Sequence, residues 1–437
     1  MKKFMGKDFL LSNKTSKLLY HNYASKLPII DYGCHIPAKD IAENINYSNI
    51  TELWLAPDHT KAHAMRACGV YEKYITGDAS DYEKFREYCG AMPSLIGNPV
   101  YHLSHLELKR YFDCDLIINQ KNCDKIWETT SDHLTKSDMG AKNLIAKNNV
   151  TILCIKEDPA NSLEYYKQLS EDNFKVIPSF SPSRIFALEN GKIIDYIKEL
   201  EKANGIKITD LKSLFASYEA SIARFDSLGC KSAAHNILDY ETFIVPDEYH
   251  ADLIFKKALA GEKNISAEEL SLFCGEMMYF FSNQYKKRGW VMQLHLGPFT
   301  PTKAKIIDYL SLKKVLPRTV LQAFSPQDNL VIKNLIQNNT SELIQNADWQ
   351  FNYGVESISS QIKNLAETEA LGKSIGLFTS SKSILSLSRH EYFRRILCNV
   401  VGTWSENGLL DIAFDELAQL VCDICYNNAK NFFNFAL

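Results

Sequence analysis

The side chains best suited to proton transfer in this sequence are its 11 histidines, because imidazole changes its charge near neutral pH. Several of them follow short apolar runs or begin a helical pattern, which are places from which a side chain can reach a substrate. Each has a structural alternative, a histidine whose hydrogen bonds are satisfied inside the fold. The candidate catalytic residues, expected to act as general acids and bases, are His35, His59, His63, His235 and His295.

The segment 31–35, Asp-Tyr-Gly-Cys-His, bears on metal binding. Two histidines at alternate positions of a strand point to one side of it and can hold one ion together. Here Gly33 takes the first of those positions and His35 the second. Half of the ligand pair is absent, so a hydrogen-bonding role is the favoured interpretation of His35.

The segment 57–66 places basic side chains near the start of a predicted helix. His59 and His63 are four residues apart and share one helix face. A metal pair at these positions would need a third ligand, which the neighbouring sequence does not supply. We therefore expect Lys61 to bind an anionic substrate, assisted by the backbone N–H groups of the helix start.

A second segment, 97–112, carries His102 and His105, which are candidate substrate-binding residues. Ser104 and Glu107 have the spacing of a helix capping box, and this explains part of the polarity by structure alone. Both interpretations of the histidines stay open at this point.

A third segment, 389–397, supplies arginines on one predicted helix. Arg389 and Arg394 are candidate substrate-binding residues, because a guanidinium group can bind a carboxylate through two parallel hydrogen bonds. The alternative is a cationic helix face without a ligand.

Composition and motif content exclude several classes of function. The net charge of −3 gives no general attraction to nucleic acid or acidic lipid, and no run of about 20 apolar residues predicts a membrane span. No dinucleotide fingerprint, phosphate loop, serine-hydrolase elbow or zincin motif occurs. The N-terminus lacks the apolar core of a signal peptide, and the scattered cysteines favour reduced thiols. We expect a cytoplasmic protein with a small anionic substrate, no cofactor and no metal. The sequence is compatible with a homo-oligomer.

The elements that must position these residues alternate between short apolar runs and helical patterns. The runs lack polar alternation, as expected for parallel strands covered on both faces. Eight of them separated by helices predict a closed (β/α)8 TIM barrel, and a doubly wound open sheet is the alternative. The predicted strands are 27–31, 151–155, 175–180, 230–234, 291–296, 319–324, 341–346 and 374–379.

More than a hundred residues separate the first two predicted strands, and they carry helical patterns of their own. We interpret 36–149 as an α-helical insertion at the barrel mouth, the C-terminal face of the strands where barrel enzymes place their sites. Residues 1–35 then form an N-terminal helix and the first strand. The remainder of the barrel and the C-terminal helices occupy 150–437.

Taken together, the motifs resemble those of the uronate isomerase family in the amidohydrolase superfamily. The resemblance runs nearly end to end and implies a barrel with a large helical insertion, aldose–ketose isomerisation of glucuronate and galacturonate, and one divalent metal ion such as zinc. It is carried by the segments 6–13, 27–35, 42–55, 58–85, 96–112, 229–235, 293–297 and 386–402.

The sequence departs from the family where the chemistry should be. Gly33 replaces the first histidine of the family's His-x-His, and Ser380 replaces the aspartate that is both metal ligand and proposed proton carrier. The family's Trp-Trp-Phe-Asn-Asp corresponds to 349–353, which makes Trp349 a candidate substrate-binding residue. The further departures are Thr60 for a tyrosine, Ser181 for an arginine, Ala234 for an aspartate and a loop after residue 297 that is shortened and lacks an arginine.

These losses leave His35 as a single protein ligand, whereas a catalytic zinc normally needs about three. We therefore favour an enzyme that acts without the metal on a small, sugar-acid-like anion by histidine general acid/base chemistry. The alternatives are a uronate isomerase with substitute metal ligands and a non-catalytic binding subunit.

Overall fold

The computed structural model describes residues 3–136, 138–169, 173–188, 192–236, 243–262, 264–296, 301–323, 332, 335–336, 343–347, 353–368 and 370–436. The candidate residue Trp349 lies outside these residues. Within them the protein has an α/β fold in which parallel strands alternate with helices along the chain.

The strands are short, and those whose side chains the structure describes are largely buried. Seven of the eight predicted strands are found among the described residues, within a few residues of the expected bounds. They are β1 (Ile29–Cys34), β2 (Val150–Glu157), β3 (Lys175–Phe180), β4 (Ser232–Asn236), β5 (Val291–His295), β6 (Thr319–Ala323) and β7 (Leu343–Ala347).

Helices fill the segments between the strands, and several begin with a capping box, for example at Ser80 and Ser266. The helices of the described residues are α1 (Lys14–Asn22), α2 (Ala38–Ala42), α3 (His59–Ala67), α4 (Asp81–Ala91), α5 (Pro99–Phe112), α6 (Cys123–Leu134), α7 (Ala141–Lys147), α8 (Glu164–Gln168), α9 (Ile193–Asn204), α10 (Leu211–Ser227), α11 (Glu248–Leu259), α12 (Ala267–Arg288), α13 (Pro301–Leu312), α14 (Val355–Thr368), α15 (Ser388–Glu406), α16 (Phe414–Cys422) and α17 (Asn428–Phe432). Six of them, α2 to α7, lie between β1 and β2.

The chain divides into two compact units. The first comprises residues 1–155, 168–176 and 349–429, and the second comprises 156–167, 177–348 and 430–437. In the first unit β1 pairs in parallel with β2. In the second unit β3, β4, β5, β6 and β7 pair in parallel in sequence order.

The core of the first unit includes a close contact between α1 and α15. Gly402 makes this contact possible, because a Cβ atom at this position would lie only 2.6 Å from the backbone nitrogen of Ser16. Among the described residues, no helix combines the length and apolarity that crossing a membrane requires.

The eighth predicted strand, 374–379, is not a strand in the structure, although it is buried as expected. Its backbone is held largely by side chains: the Tyr32 hydroxyl donates to the carbonyl of Gly376, and the Thr379 N–H donates to the carboxylate of Asp31. Just beyond it, Ser380 N–H donates to Gly33 O at 3.1 Å. The segment runs beside β1 but does not form a regular ladder of backbone hydrogen bonds with it. The hydrophobic periodicity of the sequence is the same for such a segment as for a strand.

Candidate active site

The C-terminal end of β1 is the place where the resemblance implies a metal ion, and its geometry opposes one. Gly33 lies against the ring of Phe378, and a Cβ atom on Gly33 would lie 2.7 Å from Cδ2 of that ring. The space that a histidine side chain would need at this position is therefore taken by a buried aromatic residue.

The other expected donor is also replaced by a weaker one. The Ser380 hydroxyl lies 3.4 Å from Nε2 of His35, so a neutral oxygen stands beside the imidazole where the family has a carboxylate. Among the described residues, no three His, Cys, Asp or Glu side chains cluster in a way that could hold a metal ion. One imidazole with a hydroxyl does not fit the donor set that zinc requires.

Asp31 is the carboxylate nearest to this segment, and it is fully buried. It accepts hydrogen bonds from the N–H and the hydroxyl of Thr379 and from the N–H of Gly33. Burial alone would raise the pKa of Asp31, but hydrogen bonding and the proximity of His390 lower it below its ordinary value. Asp31 is thus an ionised structural residue that holds the segment 374–379 against β1.

Lys61 and Arg389, both expected to bind substrate, lie in a buried ion cluster of the first unit. Asp58 Oδ2 accepts from Lys61 Nζ at 2.8 Å and from Arg389 Nη2 at 2.9 Å. Lys61 also pairs with Glu107 at 2.8 Å, and the Trp54 indole N–H donates to Glu107. All four charged side chains are at most 3% exposed, and their charges sum to zero. Ion pairs inside the fold account for the burial of both Lys61 and Arg389. Substrate binding by these two residues stays a prediction.

A residue of this cluster, Asp58, also caps the start of α3. The Asp58 carboxylate caps the helix by accepting from the Thr60 N–H at 2.9 Å, which is the position expected for a bound anion. His59 and His63 are on α3 and are exposed. Their catalytic role stays a prediction.

The substrate-binding candidates on α5 and α15 also have structural partners in the first unit. His105 Nδ1 lies 2.7 Å from the Tyr101 carbonyl and its Nε2 accepts from the Ile118 N–H, so both ring nitrogens are used. His102 Nδ1 contacts the Tyr392 hydroxyl at 3.0 Å. Burial lowers the pKa of both imidazoles.

Arg394 is buried and donates to the backbone carbonyls of Ala24, Leu27 and Pro28. This guanidinium ties α15 to the segment that leads into β1. The carboxylate-binding role expected for Arg394 stays a prediction, and its hydrogen bonds are those of a structural clamp.

In the second unit, His235 lies at the end of β4 and is fully buried. Its Nε2 lies 2.9 Å from the Tyr285 hydroxyl, and the rings of Phe186 and Phe281 pack around it. Burial lowers the pKa of His235 to about 3, so the ring is neutral at pH 7. Its Nδ1 has no hydrogen-bond partner among the described residues.

His295, the last residue of β5, is 3% exposed, and its Nε2 lies 2.7 Å from Nζ of Lys156 near the end of β2. The sheet order places β3 and β4 between these two strands, so the strands of the second unit must curve for the side chains to meet. Sequence reasoning missed Lys156. The signal was present, because a lysine follows the apolar run 151–155 directly, where parallel strands present functional groups.

The structure therefore groups the candidates differently from their order in the sequence. His35, His59, His63 and the basic residues of α3 and α15 belong to the first unit, and His235 and His295 belong to the second. Of the catalytic candidates in the second unit, His295 contacts the amine of Lys156, whereas His235 contacts the hydroxyl of Tyr285.

Comparison with known proteins agrees with this fold. The family model for glucuronate isomerase matches residues 1–310 and 298–433. Uronate isomerase of Caldanaerobacter subterraneus subsp. tengcongensis is 39% identical over 465 aligned positions, which cover 99% of both chains. That of Caldicellulosiruptor bescii is 39% identical over 470 positions and the full length of both chains.

Both alignments are longer than the 437 residues of this chain, so the chain lacks residues that these relatives have. The two stretches matched by the family model overlap at 298–310, after β5, where the sequence predicts a shortened loop.

Solved structures give the same result. Uronate isomerase of Thermotoga maritima superimposes with a TM-score of 0.92 at 29% identity and covers 99% of this chain and 100% of its own. Glucuronate isomerase of Caulobacter crescentus, at 18% identity, supports the fold with a TM-score of 0.88 over 98% of this chain and 97% of its own. The extent of these matches in sequence and in structure shows that the chain belongs to the glucuronate isomerase family.

Proposed function

We propose that this protein is an isomerase of small sugar acids, interconverting an aldose and a ketose uronate, and that it works without a tightly bound divalent metal ion. The observation that carries the proposal is the contact of His295 with Lys156 at the C-terminal ends of β5 and β2. Family membership supports the substrate class, since the relatives are named uronate isomerases.

The proposal that the metal is dispensable rests on the end of β1. Phe378 fills the place of one expected imidazole, and Ser380 offers a hydroxyl where the family has a carboxylate. Restoring a site would require moving a buried ring as well as replacing a donor. Chemistry in this chain must then come from its own acids, bases and charges.

Isomerisation needs a base that removes the proton from C2 and an acid that delivers one to C1. We propose His295 for this transfer, because its Nε2 lies 2.7 Å from the amine nitrogen of Lys156 and an imidazole can hold a proton near neutral pH. His235 is held neutral by burial, so it is suited to fixing the Tyr285 hydroxyl and less suited to cycling a proton.

We also propose that the strands close into the (β/α)8 barrel expected from the sequence. The parallel order of the strands, the curvature implied by the Lys156–His295 contact and the course of 374–381 beside β1 support closure.

The test is a proton NMR assay of D-glucuronate and D-galacturonate with enzyme purified in the presence of a chelator. We expect turnover that the chelator does not reduce, together with a zinc content far below one ion per chain. His295→Asn should lower kcat by about 10²- to 10⁴-fold, the usual contribution of a general acid/base.

The matched control is His250→Asn in the same unit, which changes an imidazole on α11 whose side chain is 60% exposed. Its kcat should stay within about twofold of the parent. Stoichiometric zinc, with activity lost on chelation, would favour an isomerase with substitute ligands. Absence of turnover on every uronate tested would favour a non-catalytic relative.

A further inference from the structure

Lys156 lies where a positive charge could serve the reaction that we propose for this protein. It precedes the last residue of β2, and its Nζ lies 2.7 Å from Nε2 of His295. Successive side chains of a strand point to opposite faces, so Lys156 and its neighbour Glu157 diverge. Glu157 accepts hydrogen bonds from Asn161 and from the Tyr166 hydroxyl.

The contact restricts the protonation states that Lys156 Nζ and His295 Nε2 can have together. A separation of 2.7 Å between two nitrogens requires an N–H donor on one and a lone pair on the other, so they do not both carry a full set of protons. With lysine as the ammonium donor, His295 presents a neutral ring, which is the form that can act as a base. In this state the positively charged Lys156 ammonium lies next to the neutral His295 imidazole.

The surroundings make that charge effective. His295 is 3% exposed and Lys156 is partly buried, so the pair is only weakly screened by water. An ammonium group has three N–H donors, which can be shared between the imidazole and an oxygen of a bound substrate.

We propose that Lys156 is a catalytic residue that stabilises the negative charge on the substrate's carbonyl oxygen, supplying by an ammonium group what a metal ion would otherwise supply. The inference rests on the function proposed above and names the electrophile of that reaction. Preorganised cations and N–H donors that face a developing oxyanion are among the largest contributors to catalysis.

The step balances without any further reactant. When the open-chain aldose binds, the Lys156 ammonium donates to O1 in place of Nε2 of His295, which frees the Nε2 lone pair. His295 removes the C2 proton, the C–H electron pair forms the C1–C2 double bond, and the carbonyl electrons move to O1, where Lys156 faces the charge. His295 then returns a proton to C1 while the O2 proton passes to O1. The product is the ketose, and nothing is oxidised or reduced overall.

The experiment measures kcat and KM separately for Lys156→Met and Lys156→Arg. We expect Lys156→Met to lower kcat by about 10²- to 10³-fold with KM within about threefold, as for loss of one oxyanion donor. Lys156→Arg, which keeps the charge, should retain more of kcat. Lys198→Met, an exposed lysine of α9, is the matched control and should leave both constants unchanged.

Chemical rescue provides a readout that a purely structural role would not move. Ethylamine added to Lys156→Ala should restore part of kcat in proportion to its protonated fraction, and an uncharged alcohol of the same size should not. Because rescue is measured on Lys156→Ala, the test does not require that Lys156→Met fold.

The outcomes separate the two proposals. Turnover by the parent enzyme with unchanged kcat in Lys156→Met, or a rise in KM alone, overturns the role of Lys156 and leaves the isomerase proposal standing. A rise in KM alone would make Lys156 an anchor for the substrate's carboxylate. Absence of turnover by the parent enzyme overturns both.

Discussion

The end of β1 in the first unit and the ends of β2 and β5 in the second unit use polar residues in opposite ways. At β1, Asp31 is held by backbone and side-chain donors, and Phe378 packs against Gly33. At β2 and β5, Lys156 faces His295, a cation beside a base. The first arrangement fixes a segment by hydrogen bonds, and the second brings together the two groups that we propose for the reaction.

This difference teaches that buried polar side chains can hold a fold together in one region and supply, in another, the groups that we propose for the reaction. The ion cluster of Asp58, Lys61, Glu107 and Arg389 belongs to the first kind, because its charges cancel inside the fold. Variants in the first unit should therefore change stability, whereas variants of the pair in the second unit should change rate.

The largest effect on stability is expected from Arg389→Ala. The change leaves Asp58 buried with one cation instead of two and removes donors to Tyr353 and Thr379. The free energy of unfolding, measured by urea denaturation, should fall by about 3–5 kcal/mol. An unaltered unfolding midpoint with a higher KM would instead show that Arg389 is a substrate anchor, and Arg66→Ala, on an exposed ion pair, is the control.

A somewhat smaller loss of stability is expected when the pH is lowered. Burial lowers the pKa of His235 to about 3 from an ordinary 6.5, so the unfolded chain takes up a proton that the folded chain refuses between these values. The contribution of neutral His235 is present above pH 6.5 and lost as pH falls towards 3, by about 1.4 kcal/mol per unit.

The measurement is the free energy of unfolding from pH 7 to pH 4, compared with His235→Asn. The variant should lose less stability over this interval, because an amide does not titrate there. Equal slopes in the two proteins would show that His235 does not control acid sensitivity.

Gly33→Ala should have a moderate effect. The new methyl group would lie 2.7 Å from Cδ2 of Phe378, so the ring or β1 must shift, at a cost of about 1–3 kcal/mol. Phe378→Leu in the same chain should recover part of the loss in a double-mutant cycle. Additive effects would indicate that the ring does not occupy the space beside Gly33.

The smallest effects are expected from His59→Asn and His63→Asn. Both side chains are exposed on α3, so unfolding should change by less than about 0.5 kcal/mol. Their kcat values decide the remaining question: a tenfold fall without loss of stability would place these histidines in the site and weaken the contrast between the two regions.

The sequence by itself determined the alternation of strands and helices, the helices between β1 and β2 and the family. These depend on local patterns, such as apolar runs of five or six residues and helical periodicity, that are contiguous along the chain. The same patterns misassigned 374–379, because a buried apolar run does not reveal whether its backbone bonds a neighbouring strand or the side chains of Asp31 and Tyr32. The capping box predicted at Ser104 and Glu107 was wrong, because α5 begins at Pro99 and Asn98 is its N-cap.

Only the tertiary structure decided what each polar residue does. Arg389 meets Asp58 across 331 positions of sequence, and Lys156 meets His295 across 139. Nothing in the local sequence distinguishes the first cation, which pairs with a carboxylate, from the second, which contacts an imidazole. A side chain's chemistry depends on the partners and the burial that folding gives it, and these come from distant parts of the chain.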